Sequence, residues 1–130
     1  MLVADTSAWI EYLRRTESPV DLAFTAAVDA GAVTLIEPVK AELLVGARTT
    51  AELRDLQRLV DGLDIELIHP RDDFDRAVEI HLRCRTMGIT PRGLIDCLIA
   101  AVTERTGLPL LHADRDLAAI ATVLGLEVVL

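Results

Sequence analysis

Short, continuous apolar runs alternate along this chain with longer stretches in which apolar residues recur every three or four positions. The runs Met1 to Ala4, Ala32 to Ile36 and Leu110 to His112 predict strands buried on both faces. Asp64 to Ile68 alternates like a half-exposed strand near a sheet edge, its acids turned to solvent, and Leu126 to Leu130 predicts a fifth strand. Helical spacing fills the intervals: Thr6 to Arg15, Pro19 to Val28, Pro38 to Ala47, Thr50 to Val60, Pro70 to Met87 and Leu117 to Leu124. A strand followed by one or two helices, repeated, predicts an α/β fold with a mostly parallel sheet and helices on both faces. The apolar share, 52% of 130 residues, suits one domain spanning residues 1–130.

The remaining stretch, Thr90 to Leu117, carries the chemistry. Thr90 as a cap and Pro91 in the first turn predict a helix start, so that Asp96 falls past the cap. Leu94, Ile95, Leu98, Ile99 and Val102 form one apolar stripe, and Asp96 falls about 60° outside its margin, bordering the core. After the strand at Leu110, Asp114 lies just beyond the carboxyl end, where open α/β sheets place their ligands. Asp5 follows the first strand in the same way, and Glu42 is expected near the start of the helix after the second. Each acid alone reads as an ordinary cap or first-turn residue. Together they are expected at one sheet edge, with the helix carrying Asp96 covering it.

Charge alters this picture. Thirteen basic against 21 acidic residues leave −8, which by itself argues against a nucleic-acid partner. Carboxylates gathered in one cleft repel, however, and a hard divalent cation, Mg²⁺ or Mn²⁺, is the simplest relief. Lys40 is the only lysine, so the basic residues are otherwise Arg, whose planar fork suits phosphate. Cys84 and Cys97 lack paired-Cys spacing and read as reduced thiols, and His69 and His81 lack metal-ligand spacing. No run approaches the ~20 apolar residues that span a bilayer, and no signal-peptide pattern opens the chain, so a cytoplasmic location with no membrane partner is expected.

Asp5-Thr6-Ser7, Ala41-Glu42-Leu43 with Gly46, Leu94-Ile95-Asp96 with Leu98-Ile99-Ala100-Ala101, and His112-Ala113-Asp114-Arg115-Asp116 follow one another across nearly the whole chain. In order and spacing they resemble the PIN-domain family, in particular the VapC toxins of bacterial type II toxin–antitoxin pairs. The resemblance implies a PIN-like three-layer sandwich on a five-stranded sheet and Mg²⁺- or Mn²⁺-dependent endoribonuclease activity. By position Asp5, Glu42, Asp96 and Asp114 match the family's metal-binding quartet. Asp116 joins them as an accessory catalytic acid, and Thr6 matches the small hydroxyl residue that supports the first Asp. The partners implied are an RNA substrate and a VapB-like antitoxin that blocks the acidic cleft with an Arg. A second copy of the chain is also implied, with apolar positions in 19–30 and 50–60 as candidate contacts. Arg92 and Arg115, near the acids, are candidate RNA contacts.

Three positions depart from the family's pattern. His112 stands where Thr or Ser is frequent, Leu117 where Phe is frequent, and Glu37-Pro38 where a hydroxyl-rich entry is common. Two other functions compete. A phosphotransfer enzyme would fit Asp5-x-Ser7 but needs a late lysine that this chain lacks. A catalytically inactive PIN-like binding module would not need all the acidic positions that are present.

Overall fold

In the computed structural model, which describes residues 1–130, the strand β1 (Leu2–Ala4) is fully buried and hydrogen-bonded on both sides. It pairs in parallel with β2 (Val33–Ile36), Val3 opposite Thr34, and with β4 (Leu110–Leu111), Val3 opposite Leu110. β3 (Asp64–Glu66) pairs in parallel with the outer side of β2, giving the order β3-β2-β1-β4. The helices are α1 (Thr6–Leu13), α2 (Pro19–Asp29), α3 (Glu37–Val45), α4 (Thr50–Asp61), α5 (Pro70–Thr86), α6 (Leu94–Thr106) and α7 (Arg115–Leu124). α1 packs on α2 through Trp9, Tyr12 and Phe24, whose rings meet edge to face. α5, α6 and α7 form a second group, and α3 touches both α1 and α6. None of the helices is long and apolar enough to cross a membrane.

The sheet is thus parallel and flanked by helices as expected, but it has four strands rather than five. The carboxyl-terminal segment makes a single parallel bridge, Val128 to Leu110, with Leu110 N–H donating to Glu127 O and Val129 N–H to Leu110 O, both at 2.9 Å. β4 offers only two residues to pair with, and Leu126 N–H is already committed to Ala121 O at the end of α7. What is left is too short for a ladder.

α6 also begins later than Thr90 and Pro91 suggest. Its cap is Gly93, without a side-chain cap bond, so Asp96 lies in its first turn. Gly93 is a poor helix residue, Pro91 is buried, and Arg92 reaches away from the helix to a neighbouring one. Leu94 and Ile95, expected in the apolar stripe, are 42% and 45% exposed, because the first turn projects past the core. Burial begins at Cys97 and runs unbroken to Thr103, whose hydroxyl donates to Ile99 O. Cys84 and Cys97 are buried free thiols, and burial, with Cys84 and Asp96 nearby, pushes the Cys97 thiol up to about 11.

Polar side chains fasten the edge strand. Arg105 donates to both oxygens of the buried Asp73, to Glu66 Oε1 at 2.6 Å and to Leu67 O at 3.0 Å. Glu66 is therefore held by Arg105 and only partly exposed, where its strand pattern suggested a free solvent-facing acid. Burial pushes the Asp73 carboxyl up, but the Arg105 guanidinium and the His69 amide hold it below its ordinary value. Glu37 accepts from Ile68 N–H at 2.6 Å, which gives the unusual Glu37-Pro38 entry a structural task. Arg105→Ala leaves Asp73 short of its counter-charge and should lower stability by about 2–4 kcal/mol in urea denaturation. A loss under about 0.5 kcal/mol, the level of an ordinary surface ion pair, would contradict this assignment.

Candidate active site

Because every pairing is parallel, the carboxyl ends of β1, β2 and β4 share one edge, and from each the chain turns into a helix whose first turn stands there. α6 reaches that edge in reverse. Only residues 107–109 join it to β4, so its carboxyl end sits at the start of β4 and its amino end beside the strand's exit. The amino ends of α1, α3, α6 and α7 therefore gather at one place, with their unpaired amides and partial positive charge.

Asp5, 4% exposed, caps α1: its Oδ2 accepts from Ser7 N–H at 3.0 Å and from Ser7 Oγ at 2.6 Å. Ser7 Oγ in turn accepts from Ala113 N–H at 2.9 Å, tying the exit of β1 to the exit of β4. The hydroxyl that supports Asp5 is thus Ser7 and not Thr6. A capping carboxylate reaches the second helical position, while the first points elsewhere, and Thr6 Oγ1 donates to Glu42 Oε1 at 2.7 Å. Glu42 lies in the second turn of α3, further in than expected, and is exposed.

Asp114 caps α7, its Oδ1 accepting from Asp116 N–H at 3.4 Å. His112 Nδ1 accepts from Asp114 N–H at 3.3 Å, so the imidazole serves the loop amide as a hydroxyl would at that position. Leu117 is fully buried, an apolar filler where a larger ring is frequent. Arg92 donates through Nε to Asp116 Oδ2 and through Nη2 to Asp114 Oδ1 at 3.3 Å, while its side chain stays 78% exposed. Arg115, at the first position of α7, is exposed and takes part in no ion pair.

Asp96 feels all the other acids. Burial first, then the charges of Asp114, Asp5, Glu42 and Asp116, push its carboxyl up to about 6, and no hydrogen-bond donor offsets the rise. The other four acids named from the sequence are therefore within electrostatic reach of Asp96. They stand apart all the same: no three His, Cys, Asp or Glu side chains are drawn close enough to grip one ion. Hydrogen bonds anchor Asp5 by Oδ2, Glu42 by Oε1 and Asp114 by Oδ1, leaving one oxygen free on each and both free on Asp96. An all-oxygen donor set of this kind fits Mg²⁺ or Mn²⁺.

Beside the acids runs a groove of about 530 Å³ between α1, α3 and α4, with Thr6 and Glu42 in its lining. Its floor is apolar, from Ile10, Leu13, Leu43 and Leu56, and Arg14 and Arg48 are among its charged residues. The sequence offered no signal for this groove, since its walls come from three separate helices. It did offer one for Ser7, in the Asp-x-Ser spacing of a capped helix.

A family model described as PIN domain matches residues 2–123. The chain belongs to the PIN-domain family. This PIN domain is 36% identical over 129 residues to VapC ribonuclease Mb1587 of Mycobacterium bovis, across 98% of its own length and 96% of the relative's. Identity and coverage are the same against Ribonuclease VapC11 of Mycobacterium tuberculosis, in strains CDC 1551 and H37Rv.

Asp96 should make stability depend on pH. Its folded value, about 6, lies above the ordinary 3.8, so the folded protein binds this proton more tightly. Its favourable contribution is complete below 3.8 and is lost as pH rises through about 6. In EDTA, urea denaturation at pH 4 and pH 7 should show wild type losing on the order of 1–2 kcal/mol relative to Asp96→Asn over that interval. A difference between the two proteins that did not change with pH would contradict the environment assigned to Asp96.

Proposed function

We propose that this PIN domain is a metal-dependent endoribonuclease and the toxin of a type II toxin–antitoxin pair, hydrolysing RNA phosphodiester bonds in the cytoplasm. The observation that carries the reading is Asp96, a half-buried carboxylate with no donor and four acids around it. That arrangement costs stability on its own and becomes favourable around a cation. The VapC ribonucleases that the chain matches end to end support RNA as the substrate.

Asp5, Glu42, Asp96 and Asp114 would hold Mg²⁺ or Mn²⁺, with Asp116 as the accessory acid. When bound, such an ion supplies positive charge against a phosphate oxygen and lowers the pKa of a water. The chain's own part is orientation: Ser7 fixes Asp5, Thr6 fixes Glu42, and the loop amides bonded to Ser7 and His112 fix the approach to Asp114. Arg115 is exposed at the rim, free to meet the RNA backbone. With a net charge of −8, such local cations and not a broad basic face would hold the substrate.

The test uses Asp96→Asn, because Asp5 and Asp114 also cap helices and their loss would mix folding with chemistry. Asp96→Asn should fold, melt no lower than wild type in EDTA, and lose at least roughly a hundredfold in RNA cleavage with Mg²⁺ or Mn²⁺. A folded Asp96→Asn variant that cuts RNA at the parent rate would falsify the reading.

Two protein partners belong to this proposal. A VapB-like antitoxin would place an Arg among the acids and seat apolar residues in the groove that begins at Glu42. A second copy of the chain would pack on a different surface from the one expected. In 19–30 Leu22 is the exposed large apolar residue, and in 50–60 Leu53, Leu56 and Leu59 are half-buried. Phe74, Val78 and Leu82 of α5 and Leu94 and Ile95 of α6 are all exposed, and Val78, Leu82 and Leu94 line one shallow pocket. Exposed apolar surface of this kind marks contacts. Light scattering at micromolar concentration should give a dimer, and Val78→Asp with Leu82→Glu a monomer. A wild-type monomer would remove the homodimer, and an unchanged dimer would move it to another face.

A further inference from the structure

Arg92 stands one residue before the cap of α6, yet its guanidinium spans to α7, bonding Asp116 by Nε and Asp114 by Nη2. It is the one cation paired with any of the five acids. Pro91 beside it is buried and Gly93 after it is extended, so the backbone is anchored on one side and kept out of the helix on the other. The side chain itself is 78% exposed and has no other partner. A guanidinium held by two carboxylates, on an anchored backbone but in contact with solvent, can leave them without disturbing the core. Nothing in the packing of α6 requires the pair, since burial in that helix begins at Cys97.

We propose that Arg92 is a displaceable internal counter-ion: it competes with a divalent cation for Asp114 and Asp116, and once displaced it is free to take an RNA phosphate. This rests on the reading of the acids as a cation site and adds the regulation of that site. Asp114 Oδ1 already accepts from both Arg92 and the Asp116 amide, so a cation on the free Oδ2 would share the carboxylate with a guanidinium of the same sign, and the repulsion loosens whichever Oδ1 partner can move. The amide is fixed by the helix, and the guanidinium is not. Displacement would then link the two ligands. Filling the site with a cation releases the group that grips the substrate, so each should favour the other.

The experiment is calorimetric titration of Mn²⁺ into wild type, Arg92→Gln and Arg115→Gln, in the absence of RNA. Arg92→Gln should bind Mn²⁺ roughly two- to fivefold more tightly than wild type, the range open to an exposed ion pair. Arg115→Gln removes the same charge from the neighbouring first position of α7 without removing a bond to either acid, and should change the affinity less. Binding of RNA, measured with Ca²⁺ in place of Mn²⁺ so that the site is filled without supporting cleavage, should be weaker for Arg92→Gln than for wild type. Equal or weaker Mn²⁺ binding by Arg92→Gln, or equal tightening by Arg115→Gln, overturns the displacement while leaving the cation site standing. Absence of Mn²⁺ binding in all three proteins overturns the cation site and this inference with it.

Discussion

Val3 pairs in parallel with Thr34 on one side and with Leu110 on the other, and the arrangement of the acidic edge follows from that pair of ladders. Parallel pairing sends β1, β2 and β4 out through the same edge, so Asp5, the Glu42 helix and Asp114 cannot be dispersed over the molecule. The strand that enforces this is three residues long and carries no polar side chain. With so little ladder, the burial of Leu2, Val3 and Ala4 has to fix the register. The Ser7 hydroxyl then locks two of the exits together beyond the last strand residues, where ladder hydrogen bonds no longer reach.

That geometry concentrates negative charge, and the molecule answers it unevenly. Asp5 and Asp114 lean on helix amides, Glu42 on a hydroxyl, and Asp116 on a guanidinium. Asp96 has no such partner, and burial together with the charges of the other four pushes its carboxyl up. Far from this edge the opposite solution appears. Asp73 is buried more deeply, yet Arg105 engages both of its oxygens and its carboxyl is held down. The contrast separates an acid satisfied by a counter-charge from one left without a partner.

The legible part of the fold was the part written in local pattern. Continuous apolar runs marked β1, β2 and β4, Pro19 and Thr49 marked helix starts, and the acids after strands pointed to the right edge. What escaped was set by contacts distant in sequence. At the start of α6 the local cap signal of Thr90 and Pro91 gives way to the burial of Pro91 and the extended Gly93, and Arg92 turns instead to acids 22 and 24 positions away. Glu66 looked like a solvent acid until Arg105, 39 positions on, claimed it. The fifth strand failed because a ladder needs two partners of adequate length, and periodicity in the terminal segment says nothing of how short β4 is. Among the site residues, the charges of the other four acids all reach Asp96, but no three of the five side chains close on one point. The hydroxyl expected on Asp5 was that of Thr6, but one helical step turns Thr6 to Glu42 and brings Ser7 to Asp5.

That difference bears on how the acids are held. A carboxylate placed by its backbone alone would rotate, and one bonded through both oxygens would have nothing left to offer. Ser7 and Thr6 each take a single oxygen, so Asp5 and Glu42 are oriented and still hold a free lone-pair face. The bond from Thr6 also joins α1 to α3 across the mouth of the groove, so the position of Glu42 is coupled to whatever lies between those helices. Of the five acids, Glu42 is the one held by a side chain of another helix through a hydroxyl. The groove and the acids therefore share Thr6 and Glu42, joined through a hydroxyl on the first residue of the first helix.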